Sequence, residues 1–201
     1  MTHRATRPTT LFINVGHGFA HLLMLIFPTA VLAMEGMWGR GYAELLPLGF
    51  GGYLLFGIGS LPAGWLADRW SSAWVMVVFF LGSGAACVLT GLASGPWSLA
   101  AGLTLIGLFA SIYHPVALAW LVGAGDRPGR ALGMNGVYGA VGTACAALVA
   151  GVLADLIGWR AAFIVPGVVC LLTGALFTAG VARGRHGLRR ASYRPDRTPP
   201  D

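Results

Sequence analysis

Gly64-Trp65-Leu66-Ala67-Asp68-Arg69 closes one long apolar run just before the next begins, and its reading decides the fold. Charged residues make up only 10% of the chain, against a usual share of about 25%. An adjacent acid and base between two apolar runs therefore mark a functional corner. The pattern Gly-x-Leu-Ala-Asp recurs at Gly151-Val152-Leu153-Ala154-Asp155, 87 positions on. A second pair keeps that offset, Pro28-Thr29-Ala30 and Pro115-Val116-Ala117. Two landmarks sharing one offset predict a duplicated unit of about 85–90 residues.

The rest of the chain fits a membrane setting. Its 201 residues are 56% hydrophobic, with a mean hydropathy of +0.73. A water-soluble domain of this length has no means of hiding so much apolar surface, so the reading is a polytopic membrane protein. The formal charge of +6 comes from arginine alone, because the chain has no lysine. Six of the thirteen arginines fall in the last nineteen residues, and no basic-aromatic surface suits nucleic acid. Anionic lipid head groups are the expected counterpart. Cys87, Cys145 and Cys170 lie inside apolar runs without CxxC spacing and read as small core residues.

Six apolar runs, at about 11–34, 45–67, 73–93, 97–122, 131–154 and 161–181, are each long enough to cross the hydrocarbon core as a helix. Barrel strands would be about half that length. The first run offers a cleavage-like Val31-Leu32-Ala33, but its length, its two histidines and its repeat-borne Pro28 favour a retained crossing. With the N-terminus inside, Arg4, Arg7, Arg69, Arg127, Arg130 and six tail arginines share one side. Only Arg40 and Arg160 fall on the other, which predicts both termini in the cytoplasm of an inner (plasma) membrane. Three helices per unit is an odd number, so the second unit must sit upside down. The expected fold is an all-α membrane protein: six helices in two inverted three-helix repeats, about 11–93 and 97–182, as in secondary transporters. Residues 1–10 form a cytoplasmic N-terminus, and the Arg/Pro-rich tail 183–201 is expected to be disordered.

The chemistry-bearing residues are few. His17 and His21 are four apart and share one face of the first helix with Asn14 and Met24. Ionisable groups at membrane depth mark functional sites, and histidine titrates near neutral pH, so the pair is a candidate proton relay. The alternative is a pair of neutral groups bonded to neighbouring helices. His114 precedes Pro115, which lacks a backbone donor and is expected to open the fourth helix. Asn135 and Tyr138 in the fifth run complete the candidate substrate or proton pathway. No acidic residue lies mid-run, so proton coupling would fall to histidine or to a carboxylate outside these six runs. His17, His21 and Met24 form an alternative metal set, giving a copper-type permease as a second reading.

Gly64, Asp68, Arg69 and Arg130 are candidate gating residues, with Asp68 expected to hold backbone donors at a helix N-terminus and Arg69 a carbonyl or head group. Asp155 reads as a loop cap. Gly133, Gly136, Gly139 and Gly142, three apart, predict a smooth strip for close helix packing. No nucleophile–base pair is visible, and neither an enzyme nor a cofactor is implied.

The corner at Gly64–Arg69 resembles the front of a loop signature of the major facilitator superfamily. Arg130-Ala131-Leu132-Gly133 entering the fifth helix and Gly158-Trp159-Arg160-Ala161-Ala162-Phe163 entering the sixth are similar to further motifs of that family. Gly16-His17-x-x-x-His21 and Tyr113-His114-Pro115 look like its fosmidomycin-resistance branch. The resemblance covers about residues 11–181 and implies half of a twelve-helix transporter whose substrate path lies between two halves. The implied partners are the lipid bilayer, a small-molecule substrate and a second half, either a homodimer mate or another six-helix chain. It also implies that Asp68-Arg69 latches the outward-open state.

Two stretches depart from the family pattern. Trp70-Ser71-Ser72-Ala73 replaces the glycine and basic residues of the loop signature, and Ala144 to Ala150 lack the Gly-Pro of proton antiporters. The expected function is a half-size secondary transporter of a small solute, in the form of proton-coupled drug efflux. A non-transporting truncated or accessory protein is the remaining alternative.

Overall fold

The computed structural model describes residues 7–123 and 127–184, so the expectations for the segment before residue 7, for Gly125 and Asp126, and for the tail from residue 185 lie outside the described residues. Helix α1 (Arg7–Ala30) makes the first crossing and tightens into a 3-10 turn at Val31–Ala33. One-turn helices α2 (Glu35–Trp38) and α3 (Tyr42–Leu45) fold the loop that follows, where the Glu35 carboxylate accepts the Tyr42 backbone N–H. The second crossing is α4 (Phe50–Ile58) with α5 (Ser60–Arg69), and the third is α6 (Ser72–Gly91). The fourth is α7 (Pro96–Ala110) with α8 (Tyr113–Gly123), the fifth α9 (Pro128–Leu156) and the sixth α10 (Trp159–Ala182). Five of these are long and apolar enough to cross a bilayer, and the second crossing joins them as a pair bent by 40°.

Proline explains both broken crossings. Pro62 has no N–H to return to Ile58, so α4 stops there and Ser60 Oγ donates to the Gly57 carbonyl at 2.6 Å. Pro115 acts likewise on Ser111, whose Oγ donates to the Leu108 carbonyl at 2.6 Å in the gap between α7 and α8. The expected opening of the fourth helix is therefore present. The two breaks meet, since a Cβ placed on Gly59 would lie 2.5 Å from Ser111 Oγ.

Helix pairing follows the inverted repeat. The first crossing packs on the fifth, the second on the fourth and the third on the sixth. Exchanging the triplets turns first-on-fifth into fourth-on-second and maps third-on-sixth onto itself. Directions agree: Asn14 meets Asn135 and Thr29 meets Gly151, a parallel pair, while Gly59 meets Ser111 and Gly64 meets Pro115, also parallel. Gly91 meets Arg160 and Phe80 meets Gly174, an antiparallel pair.

Each pair closes on two glycines, Gly18 on Gly142, Gly52 on Gly107 and Gly84 on Gly167. In lipid, apolar burial does not drive helices together, so close backbone approach at small residues does. A side-chain carbon on Gly107 or Gly142 would overlap the facing backbone.

The glycine strip of α9 is only half realised. Gly139 and Gly142 face α1, whereas Gly133 and Gly136 meet nothing within 4 Å. A step of three residues falls about 60° short of a full turn, so four such residues spread over half the helix surface. The buried stripe is instead Asn135, Gly139, Gly142, Ala146 and Ala150.

The third and sixth crossings carry a repeat of their own, at a shorter offset. Phe80-x-x-x-Gly84-x-x-Cys87 returns as Phe163-x-x-x-Gly167-x-x-Cys170. Cys87 Sγ donates to the Phe163 carbonyl at 3.2 Å, and Cys170 Sγ to the Phe80 carbonyl at 3.4 Å. Both thiols are core residues, as expected, and each also ties its helix to the other.

Trp159 and Arg160 close one end of the bundle. Gly158, at φ +123°, turns the chain from α9 into α10 with a backbone that other residues rarely adopt. Trp159 is buried and its Nε1–H points to Met37 Sδ at 3.3 Å. The Arg160 guanidinium lies 4.5 Å from the Trp159 ring centre and donates to the Ala93 carbonyl at 3.1 Å. The first loop, the end of the third crossing and the start of the sixth are thereby joined.

Candidate functional site

Seven polar side chains are buried among the described residues, and Asn14, His17 and Asn135 belong to one cluster. His17 Nδ1 lies 2.7 Å from the Asn135 backbone carbonyl, and its Nε2 lies 3.1 Å from Nε2 of His21. A carbonyl only accepts, so Nδ1 carries the proton of a neutral His17. Its Nε2 is then the acceptor, and the His21 Nε2–H donates across the 3.1 Å gap. Asn135 Nδ2 donates to Asn14 Oδ1 at 3.0 Å and to the Tyr113 hydroxyl at 2.8 Å. That hydroxyl donates in turn to the Ile13 carbonyl at 2.8 Å. Three crossings are bonded through one continuous network.

The rings are held as firmly as the bonds. Tyr113 stacks on His17 with centroids 5.0 Å apart and planes at 22°. His114 stands edge-on to His17 at 5.2 Å, to His21 at 5.4 Å and to Phe56 at 5.6 Å. Glycines make the space: a Cβ on Gly139 would lie 2.7 Å from the His17 ring, and one on Gly16 would lie 3.0 Å from the Tyr113 ring. The local sequence Gly16-His17-Gly18 thus seats one imidazole between close-packed helices. Ring nitrogens of His17, His21 and His114 all lie within 4.8 Å of one another.

Asn14, His17, His21, His114 and Asn135 are brought together as the sequence suggests. Two other candidates stand apart. Met24 is buried among Leu23, Phe27, Leu103 and Ile106, and its carbonyl accepts the Tyr53 hydroxyl at 3.3 Å. One turn beyond His21 the helix surface already faces the apolar second and fourth crossings, and among the described residues the sulfur makes no hydrogen bond to the histidines. Tyr138 makes no hydrogen bond or ring contact with the cluster among the described residues; its carbonyl lies beside Gly18. Tyr113 and Phe56 belong to the site and were not among the candidate pathway residues, although Tyr113 stands in the quoted Tyr113-His114-Pro115 motif. The signal for Tyr113 is its position beside His114, where a hydroxyl in an apolar run must find a partner.

At the corner, Gly64 packs against Pro115, and Asp68 and Arg69 are exposed in the last turn of α5. The Arg69 guanidinium lies 4.0 Å from the Trp65 ring centre. The expected capping by Asp68 does not occur: α6 begins at Ser72 after an N-cap, Ser71, that makes no side-chain cap, and Asp68 is still inside α5. Asp155 likewise sits within the last turn of α9 rather than in the loop. Arg130 is exposed in the first turn of α9.

Apolar crossings paired as inverted triplets around a buried polar cluster define a multi-pass membrane fold. The chain belongs to the Major Facilitator Superfamily, whose family model matches residues 9–199. It is 37% identical over 128 residues to the puromycin resistance protein pur8 of Streptomyces alboniger, a match covering 62% of this chain and 24% of that one. Among solved structures it is similar to the POT family transporter PepTSo, with a TM-score of 0.76 at 18% identity, over 94% of this chain and 39% of that one. A POT peptide transporter in complex with sulfate gives a TM-score of 0.74 at 19% identity, over 92% and 40%. At such identities the structural likeness establishes the fold. The chain spans about a quarter of the length of the curated relative and about two-fifths of the two structures.

Proposed function

We propose that this chain is half of a secondary transporter that exports a small amphiphilic solute in exchange for protons. The observation that carries the proposal is the polar cluster of His17, His21, His114, Asn14 and Asn135, near the middle of the 26-residue first crossing. Polar groups at membrane depth are costly unless they face a pathway or a partner, and this cluster holds half-buried imidazoles between three crossings. The drug-resistance relative supports export of an antibiotic. Gly16-His17-x-x-x-His21 and Tyr113-His114-Pro115 support the fosmidomycin-resistance-like branch.

In this proposal a second six-helix half, a copy of this chain or another, completes the path. The repeats run over about 11–93 and 97–182, and both termini, with the tail 183–201, lie in the cytoplasm of the plasma membrane. Gly64, Asp68, Arg69 and Arg130 gate that side, while Met24 and Tyr138 flank the pathway outside the bonded cluster.

The test is drug accumulation in an efflux-deficient bacterium expressing the chain, with puromycin and fosmidomycin assayed separately and dimerisation followed by cross-linking in native membranes. The expected result is lower accumulation of one drug, reversed by a protonophore and by His21→Ala at equal membrane expression. Unchanged accumulation of both drugs by a cross-linked dimer rejects the proposal.

A further inference from the structure

We infer that His17, His21 and His114 form a binding site for a divalent transition-metal ion of the zinc class. The inference goes beyond the transport reading and does not depend on it. Three ring nitrogens from two crossings converge within 4.8 Å. A tetrahedral zinc ion with bonds of about 2.0–2.1 Å sets its ligand nitrogens about 3.3 Å apart. The His17 and His21 Nε2 atoms, at 3.1 Å, already stand close to that separation. A four-residue step on one helix face is the spacing that aims two imidazoles at one ion. His114, on α8, supplies the third nitrogen, within 4.8 Å of the other two.

The orientation of His17 points the same way. Its Nδ1–H is bound by the Asn135 carbonyl at 2.7 Å, so the Nε2 lone pair is presented to the cluster. Metal-binding histidines are commonly fixed in this manner, through the ring nitrogen that does not touch the metal. Tyr113 stacks on the ring, and Gly139 leaves room only for the ring as it stands. When the ion binds, the proton on His21 Nε2 is lost to water and Nδ1 takes one up. Three neutral imidazoles then hold the ion without net proton release. The fourth position falls to water or an anion. An all-imidazole set with no carboxylate favours zinc, cobalt, nickel or copper(II) over magnesium and calcium. Once bound, the ion ties α1 to α8.

The experiment uses the full chain without a polyhistidine tag, purified in mild detergent and titrated with Zn²⁺ in a calorimeter. Thermal unfolding and the visible spectrum with Co²⁺ are the parallel readouts. The expected result is one ion per chain, a rise in Tm on adding Zn²⁺, an intense tetrahedral Co²⁺ spectrum and no response to Mg²⁺. His21→Ala and His114→Ala should each weaken Zn²⁺ binding by more than about tenfold, a loss that removal of even an outer partner can produce. A variant lacking His3 and His186, the other two histidines of the chain, should bind as before. No Zn²⁺ binding by the folded wild type, or binding lost with His3 and His186, overturns the inference. So does binding that both single variants retain. If neither single variant folds, the wild-type Co²⁺ spectrum decides, and an octahedral one counts against the site.

Discussion

Gly64 of the second crossing packs on Pro115 of the fourth, and a Cβ on the glycine would lie 3.4 Å from the proline Cβ. The other half of the repeat has a related contact one residue on, where Gly151 of the fifth crossing faces Thr29 of the first, next to Pro28, at 3.8 Å. The two landmarks that share an offset of 87 in sequence therefore touch each other crosswise in space. Alanine fits at position 64, because 3.4 Å is an ordinary contact distance, whereas the longer leucine side chain has to push against the proline. Gly64→Ala should keep the wild-type Tm in detergent, while Gly64→Leu should cost about 1–3 kcal/mol. Equal thermal unfolding of the two variants would show that the helices do not pack this closely.

Gly139 is the floor beneath His17. A methyl there would lie 2.7 Å from a ring that its bond to Asn135 holds in place. Gly139→Ala is expected to break that bond, to destabilise the protein by about 1–3 kcal/mol and to reduce the proposed drug export. Gly136→Ala, on the open face of the same helix, is the control and should do neither. The pair is compared by unfolding in lipid nanodiscs and by export from cells.

The Tyr113 hydroxyl serves two partners at once, the Ile13 carbonyl and Asn135 Nδ2. Tyr113→Phe leaves both buried and without that partner, at an expected cost of about 1–3 kcal/mol. Asn135→Ala should cost less in the Tyr113→Phe background than in the wild type, because the two residues share a bond. A double-mutant cycle measures the difference, and strict additivity would contradict the network.

Arg160 joins the sixth crossing to the end of the third through the Ala93 carbonyl. Arg160→Ala should speed hydrogen exchange at residues 91–95 and in the loop 35–45, where Met37 loses a neighbour. Exchange in the middle of α6 and α10 should stay slow, since Gly84–Gly167 and the two thiol bonds hold that part independently. Uniform acceleration along both helices would mean that the end and the middle unfold together.

Much of the architecture was legible because its causes are local. A crossing must satisfy its own backbone within about 20 residues, so runs of that length announce helices, and Pro115 announces its own break. Asn14, His17, His21, His114 and Asn135 were legible as scarce polar residues in apolar runs. The placement of Met24, Tyr138 and Asp68 was less legible, since each required knowing which way a helix surface turns or where a helix ends. The same limit applies to the glycines three apart, of which two point away from α1. The Phe-Gly-Cys repeat of the third and sixth crossings stands at an offset of 83, out of phase with the 87 of the other landmarks.

The sequence by itself determined six apolar crossings, their duplication, and the scarcity of polar groups within them, because length, period and composition are properties of each segment alone. Only the tertiary structure made the choice that brings a ring nitrogen of His114, from the fourth crossing, within 4.8 Å of those of His17 and His21. That choice depends on the rotation of α8 beyond its break and on how closely α1 approaches α9 where Gly18 meets Gly142. Both are set by contacts between residues about a hundred positions apart, which no single run contains.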